Sequence, residues 1–156
     1  MKPEATFRAA RNDDQSTIVS FQMAMALETE NLRLDLDTCT NGVRAIFEKP
    51  HHGKYYVAEQ GDTVIGSILI IPEWSDWRNG DVWWIHSVYL IPSERGNKVF
   101  SSFYRFIQNL ALADKTVRGL RLYVDKTNHS AQKVYKKLGM SNHHYELYEW
   151  MVGNVQ

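Results

Sequence analysis

The 156-residue chain holds one cysteine, Cys39, and lacks any long apolar run, and both scarcities exclude classes of protein. A single thiol forms neither an internal disulfide nor a zinc site of several cysteines. Adjacent histidine pairs such as His51-His52 seldom converge on one ion, so we expect no metal site. No run approaches the roughly 18 apolar residues of a membrane span, and the amino-terminal residues lack the apolar stretch of a secretory signal. These features predict a cytoplasmic protein that binds no membrane.

Net charge is also lacking, because Lys plus Arg and Asp plus Glu both number 18. The whole molecule therefore offers no electrostatic argument for binding nucleic acid. The balance conceals an uneven distribution, since residues 1–94 hold 8 basic and 14 acidic side chains, whereas residues 95–137 hold 10 and 2. The basic block is either a solvated face or a site for a polyanionic ligand, and the acidic first part suits a cation.

Apolar runs separated by turn residues predict four strands before residue 92. They are Ala5–Arg11, Tyr55–Glu59, Val64–Ile71 and Val82–Ile91. Two helices are predicted between the first two strands. The first is capped by Asn12, with Gln15 completing a capping box, and runs to about Thr29. The second spans residues 42–49 and follows a loop.

After Pro92 the apolar period becomes that of a helix, which is predicted over residues 99–113. A strand over Arg118–Val124, a helix capped by Asn128 and a last strand over Tyr145–Met151 follow. The resulting order is β-α-α-β-β-β-α-β-α-β. It predicts an α/β fold in one domain over residues 1–156, with a mixed, mostly antiparallel sheet flanked by helices.

Residues 88–100 run from a strand through a polar loop into a helix. A helix start presents unpaired backbone N–H groups and the positive end of the helix dipole, which suits a phosphate or pyrophosphate. Many α/β proteins have such a connection with one glycine, here Gly96, and no ligand. An ordinary connection therefore stays open on this evidence alone.

The last predicted helix carries a more specific motif. Asn128, Ala131, Tyr135 and Gly139 give the form N-x-x-A-x-x-x-Y-x-x-x-G, and the apolar Met140 follows. In these residues the chain resembles the GNAT superfamily of acetyl-CoA-dependent N-acetyltransferases. The predicted order of elements is also that family's, so the resemblance covers nearly the whole chain.

The resemblance implies acetyl-CoA as cosubstrate and assigns residues to it. The end of the strand before Pro92 would pair with the pantetheine amides, the following loop would hold the pyrophosphate, and Tyr135 would lie beside the sulfur and protonate the thiolate. The cofactor-binding residues implied in this way are Val88, Tyr89, Leu90, Arg95, Gly96, Asn97, Lys98, Val99, Phe100, Asn128 and Tyr135.

The loop departs from the family pattern Q/R-x-x-G-x-G/A at two positions. Arg95 fits the first position, but Lys98 stands at the first glycine and Phe100 at the small residue. A side chain at position 98 crowds the approach of the backbone to phosphate oxygens, while its charge attracts them. We expect CoA binding to be kept. The departure motivates one alternative function, a non-catalytic CoA-binding regulatory module.

His86 is the candidate base, because histidine titrates near neutrality and shares a face with Val88 if the strand is regular. A hydrogen-bonded structural histidine is the other interpretation. By resemblance, the acceptor enters between the first two helices and the last strands, where acids and aromatic side chains suit a cationic amine. The candidate acceptor-binding residues are Glu28, Glu30, Trp84 and Tyr145.

These expectations describe an N-acetyltransferase that moves an acetyl group from acetyl-CoA to a primary amine, a small cationic metabolite, by direct attack. Cys39 lies far from both motifs in sequence and is not expected to be a nucleophile. An enzyme that acetylates a protein N-terminus or a lysine fits the same residues and stays open. The resemblance also implies a homodimer, which is common in the family.

Overall fold

The computed structural model describes residues 1–153, which form five strands and four α-helices. The chain divides into two compact units, Met1–Tyr123 and the part from Val124 onward. No helix among the described residues is both long and apolar enough to cross a membrane. The elements are β1 (Thr6–Ala9), α1 (Gln15–Glu30), α2 (Leu36–Glu48), β2 (Lys54–Gln60), β3 (Thr63–Ser75), β4 (Gly80–Leu90), α3 (Val99–Ala113), β5 (Val117–Leu122) and α4 (His129–Lys137).

One sheet, in the strand order β1-β2-β3-β4-β5, organises the first unit. Its neighbouring strands are antiparallel except for β4 and β5, which are parallel. Parallel neighbours need a crossover connection, which α3 supplies between β4 and β5. The prediction of a mixed, mostly antiparallel sheet flanked by helices is confirmed.

Helices cover both faces of this sheet. On one face, Val57 of β2 and Leu69 of β3 pack in a cluster with Ile18 of α1. On the other face, Phe7 of β1 stacks on Phe103 of α3, with 5.0 Å between ring centroids. Burying each such side chain stabilises the fold by roughly 1.5–3 kcal/mol. The sheet therefore separates a face covered by α1 and α2 from a face covered by α3.

Helix α2 begins earlier than predicted. Residues 32–41 were expected to form a loop, but α2 starts at Leu36. The preceding residue, Asp35, caps it, because its carboxylate accepts a hydrogen bond from the Thr38 N–H at 2.8 Å. The cap decides where the chain turns helical.

The start of α1 also differs from prediction. Asn12 opens a single turn of 3₁₀-helix and is not the cap of α1. Asp14 instead fixes the chain before α1. Its carboxylate accepts hydrogen bonds from the Arg11 N–H at 2.6 Å and from the Arg8 guanidinium at 2.7 Å. Arg8 also binds Glu59 of β2 at 3.0 Å. This network joins β1, β2 and the start of α1.

The strand bounds differ from prediction mainly around Pro72. Strand β3 continues through this residue to Ser75, whereas the prediction ended it at Ile71. The β2–β3 ladder stops at the pair of Lys54 and Ile70, so the missing N–H of Pro72 interrupts no ladder there. Strand β1 is three residues shorter than predicted, whereas β5 begins one residue earlier and ends two residues earlier than predicted.

The predicted last strand over Tyr145–Met151 is wrong, because the structure has no strand there. Its side chains are exposed instead, with Tyr148 at 88% and Trp150 at 85%. A run of β-forming residues becomes a strand only when a neighbouring strand satisfies its backbone groups. Among residues 1–153 no strand pairs with this segment.

In the second unit, α4 begins as predicted. The Asn128 side-chain oxygen accepts a hydrogen bond from the Ala131 N–H at 3.1 Å, so the predicted cap is confirmed. The helix ends at Lys137, and Gly139 follows with a φ of 88°. This left-handed conformation favours glycine and terminates the helix.

Candidate active site

A β-bulge at Ser87–Val88 interrupts β4. Leu69 of β3 faces His86, whereas Ser67 faces Tyr89, so β4 has one more residue than β3 between these pairs. Ser87 takes a φ of 50° within the bulge. Because Ser67 and Leu69 lie on one face of β3, His86 and Tyr89 share that face too. The strand is therefore not regular, and the predicted pairing of His86 with Val88 on one face is wrong.

Beyond Ile85, the edge of β4 that faces β5 is open. The β4–β5 ladder ends at the pair of Ile85 and Leu122, and within Met1–Tyr123 no later pair follows. The backbone N–H and C=O groups of residues 86–90 that face this edge can therefore pair with an extended ligand, except the Leu90 carbonyl, which accepts a hydrogen bond from Arg95 Nε at 2.9 Å. The structure places the backbones of Val88, Tyr89 and Leu90 on this open edge of β4, as the prediction of pantetheine binding requires.

The loop into α3 contains two residues in the left-handed conformation, Gly96 with a φ of 79° and Lys98 with a φ of 63°. Glycine adopts this conformation without strain, whereas for lysine it costs about 1–2 kcal/mol. Lys98 thus takes the backbone conformation that suits a glycine at this position of the family pattern. The left-handed conformation at Lys98 therefore lowers the stability of the fold.

Helix α3 starts at Val99, directly after this loop, and no side chain caps it at Lys98. The first N–H groups of the helix and its positive dipole end suit an anion. Asn97 and Lys98 are exposed beside them, and Phe100 is partly buried. The pyrophosphate was predicted to lie against Arg95–Val99, and residues 96–99 of this range lie at one helix start.

Arg95 is held by an acid rather than directed at this helix start. Its Nη2 donates to Glu28 Oε2 at 2.8 Å, and its Nε donates to the Leu90 carbonyl at 2.9 Å. The guanidinium lies 5.3 Å from the centroid of the Tyr89 ring. The Tyr89 hydroxyl donates to Glu28 Oε1 at 3.3 Å. We name these three residues the Glu28–Tyr89–Arg95 cluster; it joins a predicted acceptor residue to two predicted cofactor residues.

Two aromatic side chains surround His86 on the sheet face that α1 and α2 cover. The His86 ring meets Tyr123 edge-on at 5.6 Å and Trp84 at 6.2 Å, and Trp84 lies 4.5 Å from Tyr123. Burial lowers the pKa of His86 below its ordinary 6.5. The imidazole is therefore neutral at pH 7, the form that accepts a proton.

Tyr123 was missed by the sequence reasoning. Its signal was the alternation at the end of the predicted strand Arg118–Val124, which places Tyr123 two residues after Arg121. Arg121 is the ladder partner of Trp84. Neighbouring strands in register present paired residues on one face, so Tyr123 follows Arg121 onto the face of Trp84.

Tyr135, on α4 in the second unit, is partly buried. Burial raises the pKa of its hydroxyl, which is therefore protonated at neutral pH and able to donate. The other predicted residues of this unit have different surroundings. The oxygen of Asn128 accepts the cap hydrogen bond, and Tyr145 is 75% exposed.

Glu30 is the remaining predicted acceptor residue, and Cys39 is the thiol that was not expected to be a nucleophile. Glu30 is the last residue of α1 and is exposed. Cys39 packs against the core cluster under α1 and α2, and burial raises the pKa of its thiol. A protonated thiol is a poor nucleophile at pH 7. Within residues 1–153, no three His, Cys, Asp or Glu side chains converge on a site that could hold a metal ion.

Comparisons with known proteins give a consistent family. The model of the acetyltransferase (GNAT) family matches residues 20–140. A possible acetyltransferase from Clostridium difficile 630 is 39% identical, with a TM-score of 0.89 over 96% of this chain and 99% of that chain. No curated protein matches the chain.

Two more distant structures share the fold. A predicted acetyltransferase with acetyl-CoA from Clostridium acetobutylicum is 22% identical, with a TM-score of 0.71 over 97% of this chain and 96% of that chain. The ribosomal-protein-alanine N-acetyltransferase from Brucella melitensis biovar Abortus 2308 is 9% identical, with a TM-score of 0.77 over 96% and 100%. At these identities the likeness shows the fold alone.

Proposed function

The chain belongs to the GNAT acetyltransferase family, whose cosubstrate is acetyl-CoA, and we propose that it transfers the acetyl group to a primary amine, a small cationic metabolite. The observation that carries the proposal is the open edge of β4 at residues 86–90. This edge supports pairing with the amides of an extended pantetheine arm. It leads directly into the loop and the uncapped start of α3, which support a pyrophosphate site.

The proposed reaction needs no covalent acyl-enzyme. A neutral amine attacks the thioester carbonyl carbon, a C–N bond forms, and the C–S bond breaks as the tetrahedral intermediate collapses. A backbone N–H near Val88 stabilises the carbonyl oxygen. His86 takes the proton that the ammonium loses, directly or through water, and Tyr135 gives its proton to the thiolate. The second proton that leaves the nitrogen as the amide forms returns through water to Tyr135, and His86 releases its proton to solvent. The lowered pKa of His86 supports the first role, because it keeps the imidazole neutral at pH 7. The role of Tyr135 comes from the family resemblance.

The assignment of cofactor residues rests on charge as well as position. Arg95 and Lys98 open the block in which 10 basic side chains face only 2 acidic ones. Lys98 takes the left-handed backbone conformation that a glycine at this position adopts without strain, but it keeps its Cβ atom. The alternative function, a non-catalytic CoA-binding regulatory module, is therefore separated from catalysis by the turnover measurement below. Asn128 and Phe100 are assigned to the cofactor by the family resemblance.

The acceptor side is assigned to Glu28, Glu30, Trp84 and Tyr145. The assignment of Trp84 has the strongest support, because its ring and the ring of Tyr123 form an aromatic wall beside His86. A carboxylate near aromatic rings suits a cationic amine. Nothing in this arrangement requires a peptide, so we place a small amine before a protein substrate.

We also propose a homodimer in the cytoplasm. The hairpin between β3 and β4 exposes 62% of Trp74 and 88% of Trp77, and the carboxy-terminal segment exposes Tyr148 and Trp150. Exposed aromatic surfaces of this kind are typical of interfaces, and a second copy supplies matching ones. Light scattering after size exclusion should give twice the chain mass, and Trp77→Ser should lower it. Cell fractionation of the tagged protein tests the location.

Thiol release from acetyl-CoA tests the acceptor class. The acceptors are spermidine, tyramine, a peptide with a free N-terminal alanine, and the N-acetylated form of that peptide with one lysine. The proposal expects spermidine or tyramine to give the highest kcat/KM. Turnover of the peptides alone would make the chain a protein acetyltransferase. Binding of CoA without turnover of any amine would favour the regulatory module.

A further inference from the structure

The Arg95 guanidinium can bind either of two anions, a cofactor pyrophosphate or the Glu28 carboxylate, and in the structure it binds the carboxylate. Arg95 opens the loop that we assign to the pyrophosphate, yet its Nη2 is bound to Glu28 Oε2 at 2.8 Å. Glu28 belongs to α1, which covers the sheet face of His86. The Glu28–Tyr89–Arg95 cluster therefore places one guanidinium between the acceptor side and the cofactor side.

The Arg95–Glu28 ion pair is open to exchange. The Arg95 and Glu28 side chains are 45% and 39% exposed, so water screens their attraction. A pyrophosphate carries more charge than a carboxylate and offers the paired oxygens that a planar guanidinium binds best. In competition for Arg95, the pyrophosphate of a bound CoA molecule is the stronger ligand.

Tyr89 gives the exchange a defined result. Its hydroxyl donates to Oε1 of Glu28, the oxygen that Arg95 does not bind. The Tyr89 ring is itself fixed, because it packs on Phe21 of α1 with 4.9 Å between centroids. When Arg95 moves to another anion, Glu28 Oε2 loses its cationic partner. Glu28 Oε1 keeps its hydrogen bond from the Tyr89 hydroxyl.

We propose that Glu28 competes with the pyrophosphate of acetyl-CoA for Arg95, so that cofactor binding frees the Glu28 carboxylate to bind the ammonium of the acceptor. This inference rests on the proposed function. It makes Glu28 an acceptor-binding residue and couples the two sites, because each ligand then raises the affinity for the other.

Calorimetry with CoA alone tests the competition. Glu28→Gln keeps the shape of the side chain and removes its charge, so Arg95 becomes free and CoA should bind about two- to fivefold more tightly. Arg95→Gln should bind CoA more weakly than the parent. In the double variant the gain should vanish, because Arg95 is the group for which Glu28 competes. Glu48→Gln is the matched control; it removes a carboxylate that pairs with Arg44 on α2.

The outcomes separate this inference from the proposed function. If the parent protein does not bind CoA, the proposed function fails first. If the parent binds CoA but Glu28→Gln binds it no more tightly, the competition is refuted. An equal gain in Glu48→Gln, or in Glu28→Gln on the Arg95→Gln background, would show a general charge effect and would also refute it.

The acceptor half of the inference has its own measurement. With the amine that turns over fastest among those named above, Glu28→Gln should raise the KM for the amine at least about tenfold, as expected for losing a hydrogen bond to a charged group. The KM for acetyl-CoA should fall or stay constant. A merely structural role for Glu28 would instead lower the melting temperature and leave the KM for the amine unchanged, and that result would overturn the release of Glu28.

Discussion

Replacing Lys98 by glycine tests whether the loop into α3 is strained. Lys98 has a φ of 63°, and a side chain in this conformation costs about 1–2 kcal/mol. Glycine removes that cost, but it gives the unfolded chain more freedom, which takes back about 0.4–1 kcal/mol. The free energy of unfolding of Lys98→Gly should therefore rise by about 0.5–1 kcal/mol. For a chain of this length the melting temperature should rise by about 1–4 °C.

Lys98→Ala is the matched control, because it removes the same charge and keeps a Cβ atom. Its stability should stay within about 0.5 kcal/mol of the parent, as for most exposed substitutions. Urea unfolding followed by circular dichroism measures both variants, and calorimetry measures their affinity for CoA. Lys98→Gly should bind CoA at least as tightly as Lys98→Ala, since it restores the backbone freedom of the family pattern.

Two results would refute this reasoning. A glycine variant less stable than the alanine variant would show that the left-handed backbone carries no strain at position 98. Loss of CoA binding in both variants would show that the Lys98 ammonium is itself a phosphate ligand, so that charge outweighs backbone freedom in this loop.

Three further predictions concern single side chains. Tyr135→Phe should lower kcat by about 10²- to 10⁴-fold with little change in the KM for acetyl-CoA and an unchanged circular dichroism spectrum; unaltered turnover would remove its role as acid. In the parent, kcat/KM should fall as the pH drops below the pKa of His86, which burial places under 6.5. His86→Gln should abolish this fall, and a fall that persists in the variant would belong to another group. Burial alone would raise the pKa of Asp14, but hydrogen bonds from Arg8 and from the Arg11 N–H outweigh it and lower the pKa below 3.8. The stabilisation is thus present above pH 3.8 and lost as pH falls through the folded-state pKa, so Asp14→Asn should be less stable by roughly 1–3 kcal/mol at pH 7, and a difference that does not shrink as the pH falls below 3.8 would contradict this linkage.

The sequence predicts best where the decisive interactions are local. The turn between β2 and β3 follows from Gly61, which takes a φ of 60°. The cap of α4 follows from Asn128, whose acceptor group lies three residues from its donor. Helix α3 follows from its apolar period and spans Val99–Ala113 as expected. Even the missed start of α2 had a local signal, the capping Asp35.

The candidate site depends on relations that no local pattern contains. The bulge at Ser87–Val88 is visible only in the register of β4 against β3. The bond between Arg95 and Glu28 joins residues from a loop and a helix that are far apart in the chain, and both residue types are ordinary at their positions. The strand prediction for Tyr145–Met151 failed for the same reason, because side-chain propensity does not supply a neighbouring strand.

The most direct test of the account measures both products of acetyl transfer from acetyl-CoA. Purified protein is incubated with acetyl-CoA and spermidine or tyramine, free CoA thiol is counted, and the masses of the amine and of the protein are recorded. The account predicts equal amounts of thiol and singly acetylated amine, and a protein of unchanged mass. Thiol release without acetylated amine, or a protein that gains an acetyl group on the way to the amine, would contradict direct transfer.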